Sequence, residues 1–349
     1  MSITLNRIKV LSQLGQEMSL MAAQLEDQSY LTEETLGPLI TQTTAKNGWF
    51  TADQIAYSLR HWGSLLQDKP LRDWVGSIEF AESTSTTVLI IAAGNIPLVG
   101  FHDILVTYLS GHQCVIKPAS NDPILTPYFV RRLTELDATS SERLHITQEI
   151  VGAFDAVIAT GSDNSARYFD HYFGSKPNLI RRNRYSCAVL TGAETKEELA
   201  LLGDDIFRYF GLGCRSVSKL WVPEGYDFSD FFNGIYSWAD IINHHKYANN
   251  YDYNKAVYMM SNIPLWDNGF LLLKSDDRTS ASPIGTLNYQ TYTSMDQVNR
   301  ALWDQKDQLQ CIVGPKEIAN SVGFGQTQRP LLHEYADGID PINFVLSLY

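Results

Sequence analysis

The chain has 349 residues, 44% hydrophobic and 19% charged, the profile of a globular protein long enough for two domains. Its formal net charge of −12 leaves no basic surplus to replace condensed counterions, so a nucleic-acid partner is not expected. Cys114, Cys187, Cys214 and Cys311 lie far apart with no CxxC pair, which gives zinc-ribbon and thioredoxin-type readings no support.

Taken from the start, MSITLNRIKVLSQLGQEMSLMAAQLED lacks the apolar core of a signal peptide. No later stretch is long and apolar enough to span a bilayer, so a cytoplasmic protein with free thiols and no membrane span is expected. Leu5, Ile8, Leu11, Leu14, Met18, Met21 and Leu25 recur at helical spacing and predict an amphipathic helix over residues 3–27, with another over 52–67. At about residue 85 the texture changes. TTVLIIAAGN is a continuous apolar run suited to a parallel strand covered on both faces. Helix VGFHDILVTYLSG, strand QCVIKP, a helix from Pro123 to Leu136 and strand FDAVIATGS follow. After SCAVLTG come a helix from Thr195 to Phe210, a turn around Cys214 and strand SKLWV, then strands near 269–273, 284–290 and 309–313. This alternation predicts an α/β protein with a doubly wound parallel sheet. The expected divisions are residues 1–192, residues 193–330 and a C-terminal segment, residues 331–349.

Four short motifs stand where such folds place chemistry. In AAGNIP a strand ends, Gly94 turns the backbone, and Asn95 projects at the carboxyl edge. Its side-chain NH₂ suits a developing oxyanion; taken alone, bridging turn backbone is the commoner use of such an Asn. In VIKPAS, Lys117 ends a strand, as a phosphate or ribose ligand or as a solvated charge. In ATGS, Gly161 and Ser162 precede a helical stretch whose free N–H groups form an anion site, although many such starts bind nothing. No GxGxxG occurs, which argues against an ordinary Rossmann dinucleotide site. In GLGCRS, Cys214 follows two glycines and precedes Arg215, a cation able to lower a thiol pKa; a buried, inert cysteine is the alternative.

In combination Asn95-Ile96-Pro97, Lys117-Pro118-Ala119, Thr160-Gly161-Ser162 and Gly211-Leu212-Gly213-Cys214 resemble, in order, the turns of the aldehyde dehydrogenase superfamily. The stretches HHKYANNYDYNKAVY (244–258) and HEYADGID (333–340) are similar to its acyl-CoA reductase branch, the relatives of the fatty-acid reductase of bacterial bioluminescence. The resemblance covers roughly residues 85–349. It implies a parallel-sheet cofactor-binding domain and an α/β catalytic domain. Cys214 would be the nucleophile, and Asn95 with the Cys214 N–H would hold the oxyanion. Lys117, Ser120, Gly161 and Ser162 would bind the cofactor. It also implies a homo-oligomer, with the strand-like tail NFVLSLY as a candidate arm.

Two departures sharpen the reading. Aldehyde-oxidising members carry a water-activating glutamate before the cysteine, whereas residues 171–193, HYFGSKPNLIRRNRYSCAVLTGA, contain no Asp or Glu. A thioester intermediate therefore survives to meet CoA or hydride, which favours an acyl-CoA or acyl-carrier reductase. Where NAD-preferring members place a glutamate on the adenosine ribose, this chain has Ser120, so NADP(H) is the implied cofactor. The Glu-x-Phe-Gly stretch that holds the nicotinamide ribose is replaced by Ser282-Pro283-Ile284-Gly285. His244 and His245 have no third ligand suitably spaced, and no metal is expected. Lys176, Arg181, Arg182 and Arg184 form either a solvated basic face or a contact for CoA or cofactor phosphates. Two rival classes stay open: a cysteine acyltransferase or thioesterase without nicotinamide, and a catalytically silent acyl-binding subunit.

Overall fold

The computed structural model describes residues 2–149, 152–161, 163–279 and 281–349. These fall into two compact units, one running to Arg182 and including Leu331–Tyr349, the other spanning Asn183–Pro330.

The first unit opens with four helices: α1 (Ile3–Glu26), α2 (Leu36–Lys46), α3 (Ala52–Leu65) and α4 (Asp68–Val75). Ile8, Leu11, Leu14 and Met18 are fully buried along one face of α1, as their spacing requires. Side-chain oxygens of Ser2 and Thr51 accept from the first turns of α1 and α3 and set where each begins. Helices α1 and α3 approach closely enough that a Cβ on Gly63 would stand 2.9 Å from the Gly15 carbonyl oxygen.

Next come β1 (Thr87–Ile91), α5 (Phe101–Ser110), β2 (Gln113–Lys117), α6 (Leu125–Leu136), β3 (Leu144–Ile146), β4 (Ala156–Thr160), α7 (Asp163–Phe173) and β5 (Asn178–Arg181). The strands form a parallel sheet in the order β3-β2-β1-β4-β5. Chain order runs outward from β1 on one side and resumes at β4 on the other, so the topological switch point lies between β1 and β4. Val88 to Ile91 are buried on both faces, which explains their unbroken apolar run.

The second unit holds β6 (Tyr185–Val189), α8 (Lys196–Phe207), β7 (Val217–Pro223), α9 (Phe228–Gly234), α10 (His245–Met260), β8 (Leu265–Asp267), β9 (Leu272–Ser275), β10 (Thr286–Tyr292), α11 (Met295–Asp304) and β11 (Leu309–Val313). The sheet order is β11-β6-β7-β10-β9-β8, parallel except for the edge strand β8. A capping box of Thr195 and Glu198 starts α8. Asp205, fully buried on α8, accepts from the Gly325 and Thr327 backbone N–H groups and the Thr327 hydroxyl, tying the 325–327 loop to the helix.

The doubly wound parallel architecture matches expectation; the boundaries shift. The division falls after Arg182 rather than at Gly192, because β6 hydrogen-bonds between β7 and β11 and belongs to the second sheet. The tail is not an extended arm. It is α12 (Pro341–Leu346), capped by Asp340, with Val345 fully buried; His112 Nε2 lies 2.8 Å from the Val345 carbonyl oxygen, and Tyr349 donates to the Ser110 carbonyl. The short strands β3, β5 and β8 and the helices α2 and α4 carry no clear periodic signal and were not anticipated.

A buried ion pair fastens this return. Arg181, at the end of β5, donates to Asp103 on α5 at 2.7 Å and to the Ala336 carbonyl at 2.7 Å, with both charged side chains almost wholly enclosed. Asp103→Ala leaves the guanidinium enclosed without its counter-charge and should destabilise the protein by roughly 3–5 kcal/mol. Chemical denaturation should show a lowered midpoint, and an unchanged midpoint would contradict this account of the pair.

Candidate functional site

In the first unit, three motif turns stand side by side at the carboxyl ends of β2, β1 and β4. The register sets Ile91 opposite Lys117 on one side and opposite Ala159 on the other. Gly94 is where the first two turns touch: a Cβ there would stand 2.4 Å from Asn121 Oδ1 and 2.7 Å from Ala119 Cβ, so only glycine fits. The Ala92 N–H donates to the Lys117 carbonyl, joining the turns through backbone as well. Asn95 is half-buried at the top of β1. Ser120 is exposed in a turn closed by the Asp122 N–H on the Ala119 carbonyl. Buried Asp122 accepts from Leu125 and Thr126 and starts α6 beside that turn. Lys117 is half-buried, and its ammonium makes no hydrogen bond or ion pair among the described residues. Gly161 donates to the Arg181 carbonyl and lies against Ser165 and Phe169 of α7; Ser162 lies outside the described residues.

The basic cluster does not act together. Lys176 donates to the Phe154 carbonyl, Arg181 is committed to Asp103, Arg182 pairs with Asp170, and Arg184 reaches the Leu309 carbonyl within the second unit.

In the second unit the chain departs from helical geometry just before Cys214. Helix α8 ends at Phe207, three residues short of the expected end, because Tyr209 (φ 55°, ψ 29°) and Phe210 (φ 58°, ψ 24°) are left-handed and Gly211 follows at φ 75°. Left-handed geometry costs a residue with a Cβ roughly 1–2 kcal/mol, and packing offsets it here. Both aromatic side chains are buried, and Phe210 stacks on His244 with centroids 4.2 Å apart. His244 caps α10, its side chain accepting from the Tyr247 N–H, and the described residues hold no group of three or more metal-ligating side chains.

Cys214 then sits in a tight turn closed by the Ser216 N–H on the Gly213 carbonyl. The Ser186 hydroxyl donates to the Cys214 carbonyl at 2.9 Å, and Gln328 donates to the Ser216 hydroxyl. Arg215 Nη1 lies 3.1 Å from Cys311 Sγ, so its guanidinium reaches the buried thiol of β11. Cys214 is exposed, whereas Cys114, Cys187 and Cys311 are buried. Burial raises the Cys114 thiol pKa and pushes that of Cys187 up to about 12.

Beside this turn a pocket is bounded by Phe207, Phe210 and Gly211 on one side and by Tyr247 and the Ser282–Thr286 segment on another. Helix α10 braces that segment, since Asn254 donates to the Ile284 carbonyl and a Cβ on Gly285 would meet Tyr251 at 3.0 Å; its Tyr247 donates to the Phe270 carbonyl ahead of β9. The Thr286 hydroxyl is buried with no hydrogen-bond partner among the described residues. Asn254 and Tyr247 lie within HHKYANNYDYNKAVY, which the sequence marked without revealing what it supports. Ser186 carries no signal in the sequence, since a lone serine in SCAVLTG belongs to no motif.

These units define the aldehyde dehydrogenase fold. The solved structure of aldehyde dehydrogenase 21 from Physcomitrella patens, in complex with succinate, covers 99% of this chain and 84% of its own, at a TM-score of 0.67 and 13% identity. Proline utilization A of Bradyrhizobium japonicum covers 90% of this chain and 36% of its own, at a TM-score of 0.64 and 17% identity. Residues 79–233 match the acyl-CoA reductase (LuxC) family, bearing out the resemblance to that branch. The long-chain acyl-protein thioester reductase 2 of Photobacterium leiognathi and the long-chain acyl-protein thioester reductase of Aliivibrio fischeri are each 26% identical over 146 residues, 38% of this chain. The match spans 30% of each relative's length.

Among the four thiols, Cys214 should react first with iodoacetamide at about pH 7–8 in the native protein, and the other three only on unfolding. Peptide mapping after limited labelling checks this. Early label on Cys114 or Cys187 would show that burial does not protect them.

Proposed function

We propose that this protein reduces an acyl thioester, carried on CoA or an acyl-carrier protein, to the aldehyde through an acyl-enzyme on Cys214, with NADPH as the reductant. The observation that carries the reading is Cys214 itself, the exposed thiol among four, held in a tethered turn behind a left-handed one. The absence of any carboxylate in residues 171–193 supports reduction over hydrolysis. The names of the partly matching relatives support the substrate class, a long-chain acyl thioester.

In this mechanism Cys214 thiolate attacks the thioester carbonyl carbon, and the tetrahedral oxyanion takes a hydrogen bond from the Cys214 N–H. The C–S bond to the carrier then breaks, and the carrier leaves as a thiolate that takes up a proton. NADPH, when bound, supplies the hydride that converts the acyl group to aldehyde and frees the Cys214 thiolate. The first unit fits such a nucleotide. Its Gly94 and Gly161 turns bring backbone close to the switch point, Lys117 has an ammonium without a partner among the described residues, and Ser120 is exposed. A neutral Ser120 near that ammonium tolerates a 2′-phosphate, which favours NADPH.

Cys214→Ser should abolish aldehyde formation while NADPH affinity stays close to wild type. Acyl-CoA alone should add one acyl group at Cys214, seen by intact mass and peptide mapping; acylation mapped to another cysteine, or an active serine variant, would falsify the nucleophile assignment.

Ser120→Glu places a carboxylate where the 2′-phosphate is proposed to lie and should weaken NADPH relative to NADH by about 1–3 kcal/mol, the scale of charge-assisted hydrogen bonds. Lys117→Ala should act in the same direction. Fluorescence titration of both cofactors decides the matter, and an unmoved NADPH-to-NADH ratio in both variants would refute the proposed phosphate site.

A further inference from the structure

Ser186 occupies an unusual point in the second sheet. Both neighbouring ladders slip beside it. On the β7 side the register passes from Ser186–Val217 to Cys187–Lys219, leaving Ser218 as an extra residue. On the β11 side it passes from Tyr185–Leu309 to Ser186–Cys311, leaving Gln310 as an extra residue. Bulges are rare in parallel sheets and cluster beside active sites, where they re-aim groups. Here two flank one residue.

The side chain uses the break this creates in the ladders. Ser186 is fully buried, its hydroxyl accepts from the Cys311 N–H at 3.1 Å, and its proton goes to the Cys214 carbonyl at 2.9 Å. The Cys214 carbonyl belongs to the central peptide of the turn closed by Ser216 on Gly213. That peptide ends on the Cα of Cys214, so tethering its carbonyl oxygen to β6 fixes the Cys214 backbone from which the thiol projects. Neither Cys214 nor Arg215 has positive φ, and the Ser186 bond holds the peptide in the orientation consistent with that.

We infer that Ser186 is a positioning residue for Cys214: its buried hydroxyl, anchored by the Cys311 N–H, latches the central peptide of the nucleophile's turn and so fixes where the thiol points. The inference rests on the proposed role of Cys214 but is tested without substrate or cofactor. Ser186→Thr and Ser186→Val have the same shape and differ only in the hydroxyl, so they form the decisive pair, with Ser186→Ala as a third variant. Iodoacetamide alkylation of Cys214 should be slowed on the order of 10–100-fold in Val and Ala, the effect expected when a reacting group is held about 1 Å out of place, and restored in Thr. The rates are taken across pH, well below each variant's melting midpoint. A positioning role lowers the plateau of the profile more than it moves its midpoint. In turnover, kcat should fall more than KM. If Thr and Val react at the same rate, or Ala matches wild type, the latch does not exist. Because alkylation needs neither acyl donor nor NADPH, its result is independent of how the Cys214→Ser experiment falls.

Discussion

The second unit is organised around three consecutive residues with positive φ. Tyr209, Phe210 and Gly211 reverse the chain between α8 and Cys214 in a hand that L-residues resist. The conformation persists because the two aromatic rings are buried, one of them against His244 at the start of α10. Packing thus holds the backbone in a geometry that local preference would abandon. Such stored strain concentrates where a side chain must be presented rather than packed. Helix α10 has two consequences from one placement: it supports the left-handed turn through His244 and braces the Ser282–Gly285 segment through Asn254 and Tyr251.

The two sheets use opposite ends. In the first unit, the motif turns follow the carboxyl ends of β1, β2 and β4, around the switch point where neighbouring connections diverge and leave a crevice. In the second unit, Cys214, Ser186 and Thr286 stand at or near the amino ends of β7, β6 and β10. No crevice of the switch-point kind is needed there. The ladder itself is broken by two bulges, and the Cys311 N–H donates to a serine hydroxyl that also holds the turn. Burial then sorts the thiols: desolvation keeps Cys114 and Cys187 protonated, while Cys214 faces water.

Much of the candidate site is legible in the sequence because its signals are local. A continuous apolar run bounded by turn residues suits a strand covered on both faces, so β1 and β4 were readable, and the turns that end them carried Asn95 and Gly161. The glycines before Cys214 suggest a close approach of backbone; the structure gives Gly211 a different reason, a φ of 75°, since a Cβ there would meet the Ile206 carbonyl only at 3.4 Å. Tyr209 and Phe210 could not be read this way. Their sequence continues the helical pattern of α8, and only contacts with distant residues overrule it. The basic run at 176–184 stays ambiguous in the sequence for the same reason, since composition gives charge but not partners, and Arg181 pairs with Asp103, 78 residues earlier in the chain.

The sequence by itself determined the alternation of strands and helices, the order of the motif turns and the identity of the cysteine that precedes β7, because each is encoded within a few neighbouring residues. The tertiary structure alone decided that Arg215 reaches Cys311, that the tail folds back as α12, and that Ser186 grips the Cys214 carbonyl. Each of those outcomes depends on polar groups or apolar faces far apart in the chain, which find partners only once burial makes an unpaired group costly.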